Sequence, residues 1–159
     1  MMIGKIERNI NISNTYLKLS QEDESAASEL AKLGKYRVAC YLILQSMEKL
    51  IRSKIFSLIN ADNDFFRDEN RNHSIESAFD MLINILSTDN IQKEQIRAQF
   101  ASNVLLKTNS NHLHNNLRYP YFQKRKSHYV LLNVDASDYE ILVSRLNVLK
   151  SFIKDIHLL

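Results

Sequence analysis

The stretch from Lys35 to Leu58 constrains this chain more than any other. Apolar or small residues recur there at Tyr36, Ala39, Cys40, Ile43, Met47, Leu50, Ile51, Ile55 and Leu58. Steps of three and four bring side chains back to one face of an α-helix, so a long amphipathic helix is predicted from Lys35 onward. Such a stripe is hidden only by packing against other elements. The chain's two glycines and one proline leave little material for sheet turns or linkers, which favours helices as those elements. The predicted architecture is therefore all-α, an up-down bundle of about five helices. At 159 residues the chain fits one domain and is long enough to bury roughly two-thirds of its unfolded surface.

The other helices are read from caps and stripes. Residues 1–19 show no sustained period and are expected to form an arm or short helix before a bundle domain at 20–159. Ser20, followed by Gln21, Glu22, Asp23 and Glu24, reads as a helix start, because its hydroxyl can cap free N–H groups and the acids suit the positive end of the dipole. That helix should run to about Leu33, with Gly34 taking the left-handed conformation that ends it. Asn60–Asn72 is polar and reads as a surface connection whose Phe65 and Phe66 tuck back onto the bundle. Ile75, Ala78, Phe79, Leu82, Ile83 and Leu86 mark a third helix. Thr88-Asp89 caps a fourth, carrying Ile96, Phe100, Val104 and Leu105. Asn115–Val134 reads as a break, and Asp135 with Asp138 starts a final helix through Ile156.

Several function classes are excluded or unsupported. The longest apolar run, Val38–Leu44, is far short of the ~20 residues needed to cross a bilayer. Met1–Asn11 holds no apolar segment that could serve as a signal-peptide core, so a cytoplasmic protein is expected. The single cysteine, Cys40, lies on the apolar stripe and reads as a buried, inert thiol. His112 and His114 stand two apart with no acidic residue near them in sequence, which is not a metal-ligand spacing. No Gly-rich phosphate loop, nucleophile elbow or CxxC pair is present, and neither metal nor cofactor is expected.

The charge distribution is the functional signal. From Gln95 to Val134 there is no Asp or Glu, while Arg97, Lys107, Arg118, Lys124, Arg125 and Lys126 all fall there, together with His112, His114 and His128. Tyr119, Tyr121, Phe122 and Tyr129 are interleaved with them. Cations hold phosphates while aromatic rings stack on bases, so this segment reads as a nucleotide or RNA site. Its alternative is a solvated loop whose charges share a sign. Arg118, Tyr119, Lys124, Arg125 and Lys126 are the candidate ligand-binding residues.

Three segments then fall in a familiar order: Lys35-Tyr36-Arg37-Val38-Ala39-Cys40 leading to Gln45-Ser46-Met47-Glu48-Lys49-Leu50-Ile51, then Asn72-His73-Ser74-Ile75, then Leu117-Arg118-Tyr119-Pro120. Together, over residues 20–158, they resemble the HEPN family. The resemblance implies an all-α bundle that often dimerises, found in prokaryotic toxin–antitoxin and phage-defence systems and in nucleotide-handling proteins. Some members are metal-independent ribonucleases, in which an Arg, usually followed by a polar residue, and a His with four to six residues between them meet across a dimer cleft. Here Arg67 and His73 have five residues between them, Arg118 and His128 have nine, and Tyr119 rather than a small polar residue follows Arg118.

The expected function is a HEPN-like binding and dimerisation module without enzymatic activity, contacting nucleotide or RNA through the loop around Arg118. A homodimer or a cognate protein partner is expected, because Leu42, Ile43 and Leu44 put apolar residues on more than one face of the second helix. The alternatives are a metal-independent endoribonuclease drawing on Arg67, Arg71, His73, His112, His114, Arg118 or His128, and a purely structural helical adaptor.

Overall fold

The computed structural model describes residues 3–64, 68, 73–105 and 108–156. Phe65 and Phe66, expected to tuck onto the bundle, lie outside them. Among the described residues six α-helices form an all-α bundle: α1 Ile12–Lys32, α2 Tyr36–Leu58, α3 Ile75–Leu86, α4 Asn90–Asn103, α5 Ser110–Arg118 and α6 Ala136–Asp155. Two three-residue strands, β1 Tyr121–Gln123 and β2 His128–Val130, make an antiparallel hairpin between α5 and α6.

The first helix starts earlier than its sequence suggests. Asn11 caps it, accepting the Asn14 N–H at 2.9 Å, and Ser20 lies mid-helix and buried. The Ser20 hydroxyl donates to the Ser46 carbonyl at 2.8 Å, across the α1–α2 contact. The acids after it do not serve a helix dipole. Asp23 pairs with Lys49 of α2 at 2.5 Å, and Glu24 with Lys150 of α6 at 2.6 Å. The N-terminal signature was local, and tertiary partners claimed the same side chains.

Gly34 ends α1 as expected, with φ +70°. Lys35 N–H donates to the Leu30 carbonyl and Gly34 N–H to the Ala31 carbonyl, both at 2.9 Å, which is the Schellman arrangement. The chain reverses, and α1 runs antiparallel to α2. Ser13 and Ser53 exchange reciprocal hydroxyl-to-carbonyl bonds at 2.8 and 2.9 Å, and Tyr16 stacks on Phe56 with centroids 5.7 Å apart. Small hydroxyls at these crossings let two long helices approach closely while satisfying their own polar groups.

Helix α2 is the axis of the molecule, with α1, α3, α5 and α6 packed against it. Ala39, Cys40, Ile43, Met47, Ile51 and Ile55 are fully or almost fully buried, and so is Leu44. Of the residues behind the expected dimer, Ile43 and Leu44 are buried within the chain and Leu42 is partly buried against the core, while Val38 of the same helix is exposed. Phe79 of α3, Phe100 of α4 and Phe152 of α6 meet as a three-ring cluster, with Phe152 5.7 Å from Phe79 and 6.3 Å from Phe100. Asp135 and Asp138 form the expected capping box at the start of α6. Cys40 is buried as expected, its thiol pushed up to about 11 by burial and then by the charges of Asp138 and Asp135. No helix among the described residues is long and apolar enough to cross a membrane.

The expected break at Asn115–Val134 is instead the end of α5 followed by the hairpin. Helix α5 spans only nine residues and buries just Ser110 and Leu117, too little for a periodic stripe. The strands are too short to display an alternation of two.

Candidate nucleic-acid interface

Helix α5 is held at both ends. At its start the Ser110 N–H donates to Glu76 of α3 at 2.7 Å, and the Ser110 hydroxyl donates to the second oxygen of that carboxylate. At its end the Leu117 carbonyl accepts from the Arg37 guanidinium of α2 at 3.1 Å. Asn109 caps it, accepting the His112 N–H at 2.9 Å. A short helix pinned in this way fixes the directions of His114 and Arg118, one turn apart, and of the hairpin that follows.

In the hairpin, Tyr121 pairs with Val130, Phe122 with Tyr129 and Gln123 with His128. Cross-strand partners share a face, so Phe122 and Tyr129 stand together. Their rings meet edge to face, 5.3 Å between centroids, yet 50% of Phe122 and 73% of Tyr129 is exposed. Tyr119 and Tyr121 are exposed beside them. The connecting 3-10 turn consists of Lys124, Arg125 and Lys126, all exposed, and Ser127 closes it with φ +53°. His128 Nδ1–H donates to the Lys126 carbonyl at 2.7 Å, which ties that histidine to its own turn.

Arg118 lies over two rings, with its guanidinium carbon 4.9 Å from the Tyr119 centroid and 5.7 Å from that of Tyr41. Among the described residues no carboxylate of the first or last helix pairs with it. The cation lies against π-faces and is exposed. Other members of the basic segment are less available. Arg97 is engaged by Asp80 and Glu94, each at 2.7 Å, and these hydrogen bonds raise its pKa. Lys107, like Arg67 and Arg71, lies outside the described residues.

A second group of titratable residues meets where α2, α3 and α5 converge. Glu48 of α2 is buried and accepts from Arg52 Nε at 2.9 Å, and His73 Nδ1 stands 3.3 Å from the same carboxylate oxygen. Gln45 Nε2 donates to His114 Nε2 at 2.6 Å, which requires that nitrogen to be unprotonated. The Tyr41 ring packs 4.8 Å from the His114 ring. Burial first, then the Arg118 charge, lowers the His114 pKa, with Glu48 opposing and His73 adding slightly to the fall. Glu48, His73, Ser74, Asn111 and His114 line one cleft, but its volume is only about 10 Å³, room for no more than a water.

The structure thus brings His73, His114 and Arg118 into one neighbourhood and leaves His112 exposed. Gln45, Tyr41 and Glu48 were missed as members of that neighbourhood. The Gln45–x–x–Glu48 spacing marks one helix face, but no local signal says that α5 covers it. No protein-family model, curated protein or solved structure matches the chain.

Proposed function

We propose that this protein is a helical binding module that holds single-stranded RNA or nucleotides on the surface formed by the end of α5 and the hairpin. The observation that carries the reading is the joint exposure of Phe122 and Tyr129 on a hairpin whose turn is Lys124-Arg125-Lys126. Exposed paired rings cost free energy in water and repay it when bases stack on them, while adjacent cations track the phosphates. Arg118, held over Tyr119 and Tyr41, supplies a preorganised phosphate contact. The setting that the HEPN resemblance implies, a prokaryotic defence or toxin–antitoxin system, belongs to the same proposal, as does assembly with a second copy or a cognate protein.

Fluorescence anisotropy with a labelled single-stranded RNA, at 50 and 200 mM salt, tests it. Binding should weaken steeply with salt. Phe122→Ala and Tyr129→Ala should each weaken it about fivefold to a hundredfold, since base–aromatic stacking is worth roughly 1–3 kcal/mol per base. Arg125→Ala should reduce the salt dependence. Absence of binding at low salt, or binding indifferent to both aromatic substitutions, would refute the proposal.

A second reading, a metal-independent endoribonuclease, has one specific observation in its favour. His114, its pKa lowered by burial and by the Arg118 charge, lies one helical turn from Arg118, the pairing of a base and a cation that phosphodiester cleavage uses. RNA cleavage in EDTA that disappears in His114→Ala, His73→Ala and Arg118→Ala would establish it. Intact RNA after prolonged incubation with the wild-type protein would sink it.

A further inference from the structure

Away from the hairpin, α2, α5 and α6 surround a cavity of about 270 Å³. Its apolar wall comes from Cys40, Leu44 and Met47 of α2, Leu113 and Leu117 of α5, and Leu142 of α6. Protein interiors keep few voids larger than a water molecule. A dry cavity of about 150 Å³ accommodates benzene, so this one has room for roughly ten non-hydrogen atoms.

Two charged residues of α6, Asp138 and Arg145, line this cavity. Arg145 Nη1 donates to the Asn103 carbonyl at the end of α4, 2.9 Å away. That bond anchors the guanidinium. Its Nε is shielded from solvent, and among the described residues no carboxylate forms an ion pair with the guanidinium. A permanent cation on a largely apolar wall is best matched by an anionic oxygen. The cavity's carboxylate, Asp138, does not supply one. It stands two helical turns away on α6, where its side chain accepts the Asp135 N–H at 3.0 Å within the capping box.

We propose that the cavity binds a small amphipathic carboxylate of about ten non-hydrogen atoms, with its hydrocarbon body against Leu44, Met47, Leu113 and Leu142 and its carboxylate paired with the Arg145 guanidinium that lines the wall. The site shares no side chain with the hairpin surface, so it stands or falls independently of RNA binding.

Titration calorimetry on the full chain with octanoate and with 1-octanol, its uncharged counterpart, tests the proposal. Octanoate should bind one molecule per chain, about tenfold tighter than 1-octanol, because a hydrogen bond to a charged partner is worth more than one to a hydroxyl. Arg145→Gln should bring octanoate down to the level of 1-octanol and leave 1-octanol within about twofold of wild type. Leu113→Phe, which narrows the cavity, should weaken binding of both, with its melting temperature confirming that the fold is kept. Equal affinity for acid and alcohol, no saturable binding of octanoate, or undiminished binding in Leu113→Phe would each overturn the assignment. The comparison of octanoate with 1-octanol is made on the native chain, so it decides the matter even if Arg145→Gln does not fold.

Discussion

Glu48 and Arg52 form an ion pair inside the bundle, one turn apart on α2, with 9% and 3% of their side chains exposed and 2.9 Å between Glu48 Oε1 and Arg52 Nη2. Each of these two charges, removed from water within a helical protein, has the other as a partner, and His73 Nδ1 adds a contact to the same carboxylate oxygen at 3.3 Å. Losing one member withdraws a charged partner from the other in a site shielded from water. Glu48→Gln or Arg52→Met alone is expected to lower the unfolding free energy by about 3–5 kcal/mol. The double variant Glu48→Leu/Arg52→Met should recover part of that loss. Urea unfolding of the three variants measures it, and equal destabilisation by single and double variants would show that packing rather than charge dominates the site.

Ser20 and Ser46 join α1 to α2 at a buried crossing, with hydroxyls 3.0 Å apart and the Ser20 hydroxyl also donating to the Ser46 carbonyl. Ser20→Ala removes one partner at a site with little room for water and should cost about 1–2 kcal/mol in chemical denaturation. Ser20→Leu should cost more, because Ser46 is wholly buried and the helices would have to separate. A leucine variant as stable as wild type would mean that the crossing is looser than its geometry indicates.

His114 makes stability depend on pH with a definite sign. Its folded pKa lies below the ordinary histidine value of 6.5, chiefly through burial, so the unfolded chain binds its proton more readily. The contribution is fully present above 6.5 and is lost as pH falls from 6.5 through the lower folded value. Unfolding at pH 7.5, 6.5 and 5.5 should therefore show falling stability, and His114→Gln should flatten that slope. A slope unchanged in the variant would assign the effect to another group. Asp135, whose pKa is lowered from 3.8 by its bonds to Ser137 and Asp138, acts in a more acidic window and does not confuse the measurement.

Much of the bundle was legible because periodicity and caps are local. The α2 stripe, the Gly34 reversal, the helix over Ile75–Leu86 and the Asp135–Asp138 capping box each follow from residues within a few positions of one another. Helix α5 and the hairpin were read as a break, since nine helical residues with one buried leucine and two three-residue strands are shorter than the window in which a period becomes visible. Ser20 misled for the opposite reason. It has the chemistry of a cap, and only the proximity of α2 turns its hydroxyl sideways.

The candidate surface divides along the same line. The absence of acids from Gln95 to Val134 and the interleaved rings were plain in the chain. That Arg97 is spent on Asp80, seventeen positions away, was not. Nor was the assembly of His114 with Gln45, sixty-nine positions apart, or the placing of Arg118 over Tyr41.

By itself, the sequence determined that the chain is helical, where its long central helix runs, and which segment carries unbalanced positive charge. Those properties depend on backbone preference and side-chain type along a few consecutive turns. The tertiary structure alone decided which polar groups are consumed and which stay available. Glu48, Arg52 and Ser20 are hidden by helices distant in sequence, whereas Phe122, Tyr129 and the Lys124–Lys126 turn remain in solvent. Arg145 Nε is shielded from solvent, with no carboxylate among the described residues paired to its guanidinium. Burial and pairing are set by neighbours that only the folded chain brings together, and a group's desolvation and its partners decide whether it is left to bind something else.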